Sequence, residues 1–165
     1  MGKCVIAVYV KNEAGVLTRV AGMFTRRRFN IDTLTGGATE RSEYSRITIT
    51  MNGDQAEREQ IVNQLKKLHV VKKLEILETD PIQRELMLIK VRNTAQNRND
   101  IMTAVDVFRA SVIDYSVESM CIEVTGSPSK MDAFVNLMEP FGILEMCRTG
   151  VVALERGADT LFSKE

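Results

Sequence analysis

A chain of 165 residues with 22 basic and 22 acidic side chains, 44% hydrophobic and 27% charged, has the make-up of an ordinary globular protein, with room for one medium domain or two small ones. Zero net charge argues against the basic footprint of a nucleic-acid binder, and no apolar run approaches the roughly 20 residues of a membrane-spanning helix. Cys4, Cys121 and Cys147, odd in number and far apart within apolar runs, exclude a disulfide framework and a Cys-x-x-Cys metal site, and they read as buried thiols.

The first element is the near-continuous apolar run Cys4 to Val10 (CVIAVYV), a strand candidate. A polar stretch, Lys11 to Gly15, follows, and then Val16, Leu17, Val20, Ala21 and Phe24 recur at helical spacing, predicting a helix over residues 15–28. A glycine at the mouth of a helix lets the backbone come close to a ligand, and the unpaired amides of the first turn attract an anion such as a carboxylate. Asn12 adds a side-chain donor and acceptor, so Lys11 to Leu17 is a candidate ligand loop. Taken alone the signal is weak, because many plain strand-to-helix connections look like this.

Asn30 to Thr35 (NIDTLT) is the next predicted strand, Gly36 to Glu43 a flexible polar loop, and Tyr44 to Met51 a third strand. In that third strand Ile47, Ile49 and Met51 alternate with Arg46, Thr48 and Thr50, which predicts one buried and one solvated face. Asp54 and Glu57 form a capping-box pattern ahead of Ile61, Val62, Leu65 and Leu68, and Val71 to Glu78 is a final strand. The order β-α-β-β-α-β is the ferredoxin-like arrangement, with two helices on one face of an antiparallel sheet and the other face uncovered.

Asp80-Pro81 marks a boundary, so two domains are expected, 1–79 and 80–165. The second half repeats the order. Glu85 to Arg92 is a strand, Asn93 to Asp100 a loop that caps a helix with Ile101, Met102, Val105 and Phe108 on one face, and Ser111–Val117 and Met120–Thr125 are strands. Ser127-Pro128 opens a second helix carrying Met131, Phe134, Val135 and Met138, and Ile143 to Leu154 is a last strand bent near Gly150. Gly53 and Val62-Asn63 recur as Gly126 and Val135-Asn136, 73 positions on. The fold class is therefore α+β, two tandem ferredoxin-like domains whose open faces and edges suit homodimerisation.

No catalytic set emerges. His69 is the only histidine and sits at a predicted helix end, where a histidine complements the carbonyl end of the dipole. No G-x-S-x-G, no Cys-His neighbours and no metal-ligand spacing occur, and Gly36-Gly37 lacks the rest of a dinucleotide fingerprint. Arg26-Arg27-Arg28 reads as a solvated helix end rather than a phosphate grip, since the strands lack the aromatic pairs that stack RNA bases. The amino terminus carries neither a signal nor a transit pattern, so a cytoplasmic protein is expected, without membrane or nucleic-acid partners.

The run NEAGVLTRVAGMFTRRRFNIDTLT, residues 12–35, resembles the opening of the small, regulatory subunit of acetolactate synthase (acetohydroxyacid synthase), whose first domain is an ACT domain. Ser45 to Ile49 resembles that family's S-R-M-T-I strand and Arg84 to Val91 its inter-domain strand. Phe108-Arg109 through Ile113-Asp114 and Arg148 to Leu154 resemble its later signatures.

The resemblance implies a chain without chemistry or cofactor of its own. Its implied partner is a catalytic subunit that holds thiamine diphosphate, magnesium and FAD. This chain would activate that subunit and confer feedback inhibition by branched-chain amino acids, valine above all. The resemblance also implies an effector held between the ACT domains of a homodimer. Asn12, Gly15, Val16 and Leu17 would come from one chain, and Asn30 and Ile31, from the family's G-[YF]-N-I segment, would come from the other. Arg28 stands where that family has glycine, and since a left-handed helix end costs arginine roughly 1 kcal/mol or more, a shifted turn ahead of Asn30 is expected.

On the residues alone two rivals remain, an amino-acid-responsive regulator of another enzyme or of transcription, and a small enzyme. No helix-turn-helix is left unassigned for the first, and the catalytic set is missing for the second.

Overall fold

Strand β1 (Gly2–Lys11) is the axis of the first sheet, and every residue from Cys4 to Val10 is buried. The pleat divides them: Cys4, Ile6, Val8 and Val10 enter one core, while Val5, Ala7 and Tyr9 enter another on the reverse side. The computed structural model describes residues 2–78 and 80–163, so Thr79, the expected end of the first domain, lies outside the described residues.

Around β1 stand α1 (Val16–Arg27), β2 (Thr33–Ala38), β3 (Tyr44–Gly53), α2 (Gln55–Leu65) and β4 (Val71–Ile76). The sheet order β2-β3-β1-β4, antiparallel throughout, is the ferredoxin-like order expected. Helix α1 buries Val16, Val20, Met23 and Phe24, and α2 buries Ile61 and Leu65 behind its Asp54–Glu57 capping box. Leu17, expected on the apolar face of α1, is 53% exposed. Strand β2 starts three residues later than expected and takes in Gly36 and Gly37, which pair with Ile47 and Arg46 instead of forming a loop.

The end of α1 explains Arg28. Its φ of 58° and ψ of 27° are left-handed, its amide bonds the Thr25 carbonyl at 3.2 Å, and the Phe29 amide bonds the Phe24 carbonyl at 3.1 Å. This is a Schellman turn, closed by an apolar contact in which Phe29 packs on the core that holds Phe24. Arginine thus adopts the conformation a glycine would take, and the expected shift of the turn does not occur.

The second unit contains β5 (Ile82–Arg92), α3 (Arg98–Val107), β6 (Ser111–Tyr115), β7 (Ser119–Gly126), α4 (Pro128–Met138), a 3-10 turn (Glu139–Phe141) and β8 (Ile143–Arg148), with order β6-β7-β5-β8. Ser127 caps α4 by accepting from the Lys130 amide, with Pro128 at the first helical position as read from sequence. Ala104 takes the buried place on α3 that was expected of Met102.

The two units repeat one another in detail. Arg109 (φ 51°) ends α3 in the same Schellman turn, with Arg109 bonding Asp106 at 3.1 Å and Ala110 bonding Val105 at 2.9 Å. A register shift between Tyr9 and Val10 against β4 recurs between Lys90 and Val91 against β8. Asn12 and Asn93 each donate their amide to a glutamate carbonyl just ahead of the third strand, Glu43 at 2.8 Å and Glu118 at 2.9 Å.

One expectation is corrected on the reverse face of the first sheet. The chain divides into one unit that runs through Ile82 and resumes at Val151, and another, Gln83–Gly150. Residues from Val151 on, expected in the second domain, leave β8 at Gly150 (φ 83°). Val151, Ala153 and Leu161 then pack with Val5, Ala7, Tyr9 and Leu77, so this face is covered. Thr48 and Thr50, expected in solvent, are buried for the same reason, with Thr50 Oγ1 2.6 Å from Thr33 Oγ1. Of the cysteines only Cys4 is buried; Cys121 is half-buried and Cys147 exposed.

Candidate functional site

The Lys11–Leu17 loop forms one wall of a cleft of about 420 Å³ in the first unit. Gly15 caps α1 with φ 82°, a conformation that favours glycine, and a Cβ there would meet nothing within 4 Å. Arg19 is the first residue whose amide is bonded into the helix, to the Gly15 carbonyl at 3.0 Å, so the amides of Val16, Leu17 and Thr18 precede the ladder. No side chain caps this end. The cleft therefore combines the positive end of a helix with the apolar side chains of Val10, Val16, Leu17 and Ile47.

Asn12 is fixed from the far side. Its Nδ2 donates to the Ser42 carbonyl at 3.2 Å, and its Oδ1 accepts from Ser45 Oγ at 3.3 Å. An amide side chain has two N–H groups and two lone pairs, so each bonded atom retains capacity toward a ligand. Lys11 and Glu13 stand at the rim, with Glu13 3.5 Å from Arg19 in a half-exposed pair that contributes little stability. Arg19 also donates to His69 Nε2 at 2.8 Å, which ties the one histidine to α1.

Of the residues singled out from sequence, Asn12, Val16 and Leu17 line the cleft and Gly15 shapes its helix mouth. Asn30 and Ile31 are not brought to it within one chain. They follow the opposite end of α1, a helix of 12 residues and roughly 18 Å, where Asn30 is exposed and Ile31 packs on the core of its own unit. Sequence reasoning missed the opposite wall, Gly36, Gly37 and Ala38 of β2 with Ser45 of β3. The signal was the adjacent glycines, which keep a strand edge bare enough to border a cavity.

The second unit lacks this cleft's chemistry. Asn93, the counterpart of Asn12, is buried, donates to the Ser116 carbonyl at 2.7 Å and accepts from Arg98 Nε at 3.1 Å. Asn97 binds back to Thr94 and to the Arg92 carbonyl, closing the loop on itself. Among the described residues no group of three or more His, Cys, Asp or Glu side chains is placed to hold a metal, and no helix is long and apolar enough to cross a membrane.

Comparison with known proteins bears on the same two units. The family "AHAS small subunit-like ACT domain" matches residues 6–73, and "Small subunit of acetolactate synthase" matches residues 84–157. The chain is 48% identical over 156 residues to the probable acetolactate synthase small subunit of Archaeoglobus fulgidus, covering 94% of this chain and 98% of that one. It is 46% identical over 153 residues to the acetolactate synthase small subunit of Mycolicibacterium smegmatis, covering 92% and 90%. The crystal structure of the acetolactate synthase small subunit from Thermotoga maritima superposes with a TM-score of 0.89 at 37% identity, over 96% of this chain and all of that one. With both units matched over most of their length, the chain belongs to the family of acetolactate synthase small subunits, and its first unit is an ACT domain.

Proposed function

We propose that this chain is a non-catalytic regulatory subunit that binds the catalytic subunit of acetolactate synthase, raises its activity, and makes it subject to feedback inhibition by a branched-chain amino acid, valine first. Thiamine diphosphate, magnesium and FAD would reside in the catalytic partner. The observation that carries the proposal is the cleft itself. Helix-mouth amides suit an α-carboxylate, the Asn12 amide suits an ammonium, and Val16, Leu17 and Ile47 suit a short branched side chain. One methylene more or less changes affinity by only about 1 to 3 kcal/mol in such a pocket, so valine, leucine and isoleucine are expected to compete.

The sheet edges support a homodimer as the complete site. Strand β4 carries Lys72, Lys73 and Glu75, charges that discourage edge pairing, whereas β2 (TLTGGA) has none and leaves Gly36, Gly37 and Ala38 exposed. Two β2 edges paired antiparallel about a two-fold axis would set the start of one strand beside the end of the other. Asn30 and Ile31 of the partner subunit would then approach the Gly36–Ala38 wall and close the cleft.

Titration calorimetry of valine into the isolated protein tests the site. Wild type is expected to bind, and Asn12→Ala and Gly15→Asp to bind more weakly, the aspartate by placing a carboxylate against the bound one. Unchanged affinity in both variants would refute the assignment.

A further inference from the structure

An aromatic cluster on the reverse face of the first sheet lies outside the proposed effector site and touches the same hairpin. Tyr9 stands edge-on to Phe162, with ring centroids 4.9 Å apart, and the Arg41 guanidinium lies 4.8 Å over the Phe162 ring. The Tyr9 hydroxyl donates to Glu40 at 2.6 Å. Glu40 and Arg41 belong to the turn 39–43 between β2 and β3. The other side of that turn supplies the Ser42 and Glu43 carbonyls that hold Asn12, and Ser45, just past it, holds the Asn12 oxygen. Residues 40–43 are exposed, and within the turn the Thr39 hydroxyl donates to the Arg41 carbonyl at 2.8 Å and the Tyr44 amide donates to the Arg41 carbonyl at 3.0 Å, so these local bonds and the two sets of contacts together fix it.

Phe162 is delivered by the C-terminal segment that covers the sheet. Val151, Ala153 and Leu161 anchor that segment, the Ala153 carbonyl accepts from Arg46 at 2.7 Å, and Arg156 pairs with Asp80 at 3.1 Å. An aromatic residue near the end of the chain is thereby connected to the ligand loop through one short turn.

We infer that Phe162 is a positioning residue for the Asn12 cleft, acting through Arg41 and Tyr9 on the 39–43 turn, so that the seating of the C-terminal segment and the shape of the cleft are linked. When Phe162 is seated, Arg41 and, through Tyr9, Glu40 are held, and the Ser42 and Glu43 carbonyls stay aimed at Asn12. When it is withdrawn, the turn gains freedom and Asn12 loses the partners that orient it. The link is reciprocal: a ligand that holds Asn12 favours the seated segment by the same factor that seating favours the ligand. The effect on ligand rests on the reading of the cleft as an effector site; the positioning of Asn12 does not.

Amide hydrogen exchange on the full chain without ligand is the first test. In Phe162→Ala, exchange of the Asn12 and Tyr44 amides is expected to rise about fivefold or more, while that of Ile6, Val8 and Ile49 in the central strands stays within about twofold. Phe162→Tyr, which keeps the ring, restores the slow exchange. Arg41→Gln, which removes the cation but not the segment's burial, reproduces part of the rise. A rise confined to the C-terminal segment, or one uniform over the sheet, overturns the inference.

Calorimetry with valine is the second test. Affinity is expected to fall about three- to tenfold in Phe162→Ala and to recover in Phe162→Tyr. Unchanged affinity alongside raised exchange overturns the link to ligand. Valine that fails to bind wild type overturns the effector reading instead, and exchange alone then decides the positioning.

Discussion

Arg28 and Arg109 offer a direct measure of what the fold demands at the ends of its two long-strand-to-helix units. Each occupies the left-handed position of a Schellman turn, at φ 58° and φ 51°, and among the described residues neither guanidinium makes a hydrogen bond or ion pair. Replacement by glycine therefore removes backbone strain without removing a side-chain contact. The left-handed conformation costs a residue with a Cβ roughly 1 to 2 kcal/mol, and glycine's greater freedom in the unfolded chain returns about 0.5 to 1 kcal/mol of that. The net expectation is a gain of about 0.5 to 1 kcal/mol for each of Arg28→Gly and Arg109→Gly, roughly additive in the double variant because the sites share no partner. At this chain length that is about 1 to 4 °C in Tm for each, read by thermal unfolding with circular dichroism. Arg28→Ala is the control, since it discards the guanidinium and keeps the Cβ. If glycine proves no more stable than alanine at residue 28, the strain argument fails. Because the turn already has its glycine-like geometry, Arg28→Gly is also expected to leave valine affinity unchanged.

The buried pair in the second unit should be asymmetric. Glu85, its side chain 2% exposed, accepts from Arg148, which also binds Asp132 at 2.7 Å. Burial works against the Arg148 charge, but its hydrogen bonds to Glu85 and Asp132 more than offset that and hold its pKa above the usual arginine value. Arg148→Met, which strands a buried carboxylate, should cost about 3 to 5 kcal/mol by urea unfolding, and Glu85→Gln clearly less, since Arg148 keeps Asp132. Equal costs would contradict this reading. The Tyr9–Glu40 bond predicts a pH effect. The Tyr9 hydroxyl holds the exposed Glu40 carboxyl below its ordinary 4.5, so its stabilisation is present above that value and is lost as pH falls through the lowered one. Burial, with Glu40 second, raises Tyr9 above its ordinary 10.0, so that contribution is present below pH 10 and lost at higher pH. Tyr9→Phe should flatten the difference in stability between pH 6 and pH 3; an identical pH profile in the variant would count against the bond.

Much of this architecture is legible in the sequence because local chemistry and tertiary packing agree. The Asp54–Glu57 box, the Ser127-Pro128 start and the 3.6-residue spacing of both helices in each unit are local signals, and the sheet order follows once the element order is known. What escaped is what distant residues decide. The alternation of Arg46, Thr48 and Thr50 with Ile47, Ile49 and Met51 encodes one buried face, and only the return of Val151, Ala153 and Leu161 buries the other. Gly36 and Gly37 carry no side chain that marks a strand, and they enter β2 because the β3 backbone offers Ile47 and Arg46 as partners. At the site, Asn12, Gly15, Val16 and Leu17 announce themselves as a polar loop before an amphipathic helix. Gly36–Ala38 border the cleft through sheet register, which no local pattern contains. Arg28 shows the reverse case, a residue whose own preference opposes the turn it occupies and is overruled by the Phe24–Phe29 closure.

The central claim, a regulatory subunit that carries the effector site, is tested most directly by reconstitution. Acetolactate formation by the purified catalytic subunit would be measured with and without this chain, each across a valine titration. The chain is expected to raise the rate and to introduce inhibition by valine that Asn12→Ala shifts to higher concentration. A rate unchanged by the chain, or valine inhibition of the same midpoint in its absence, would contradict the account.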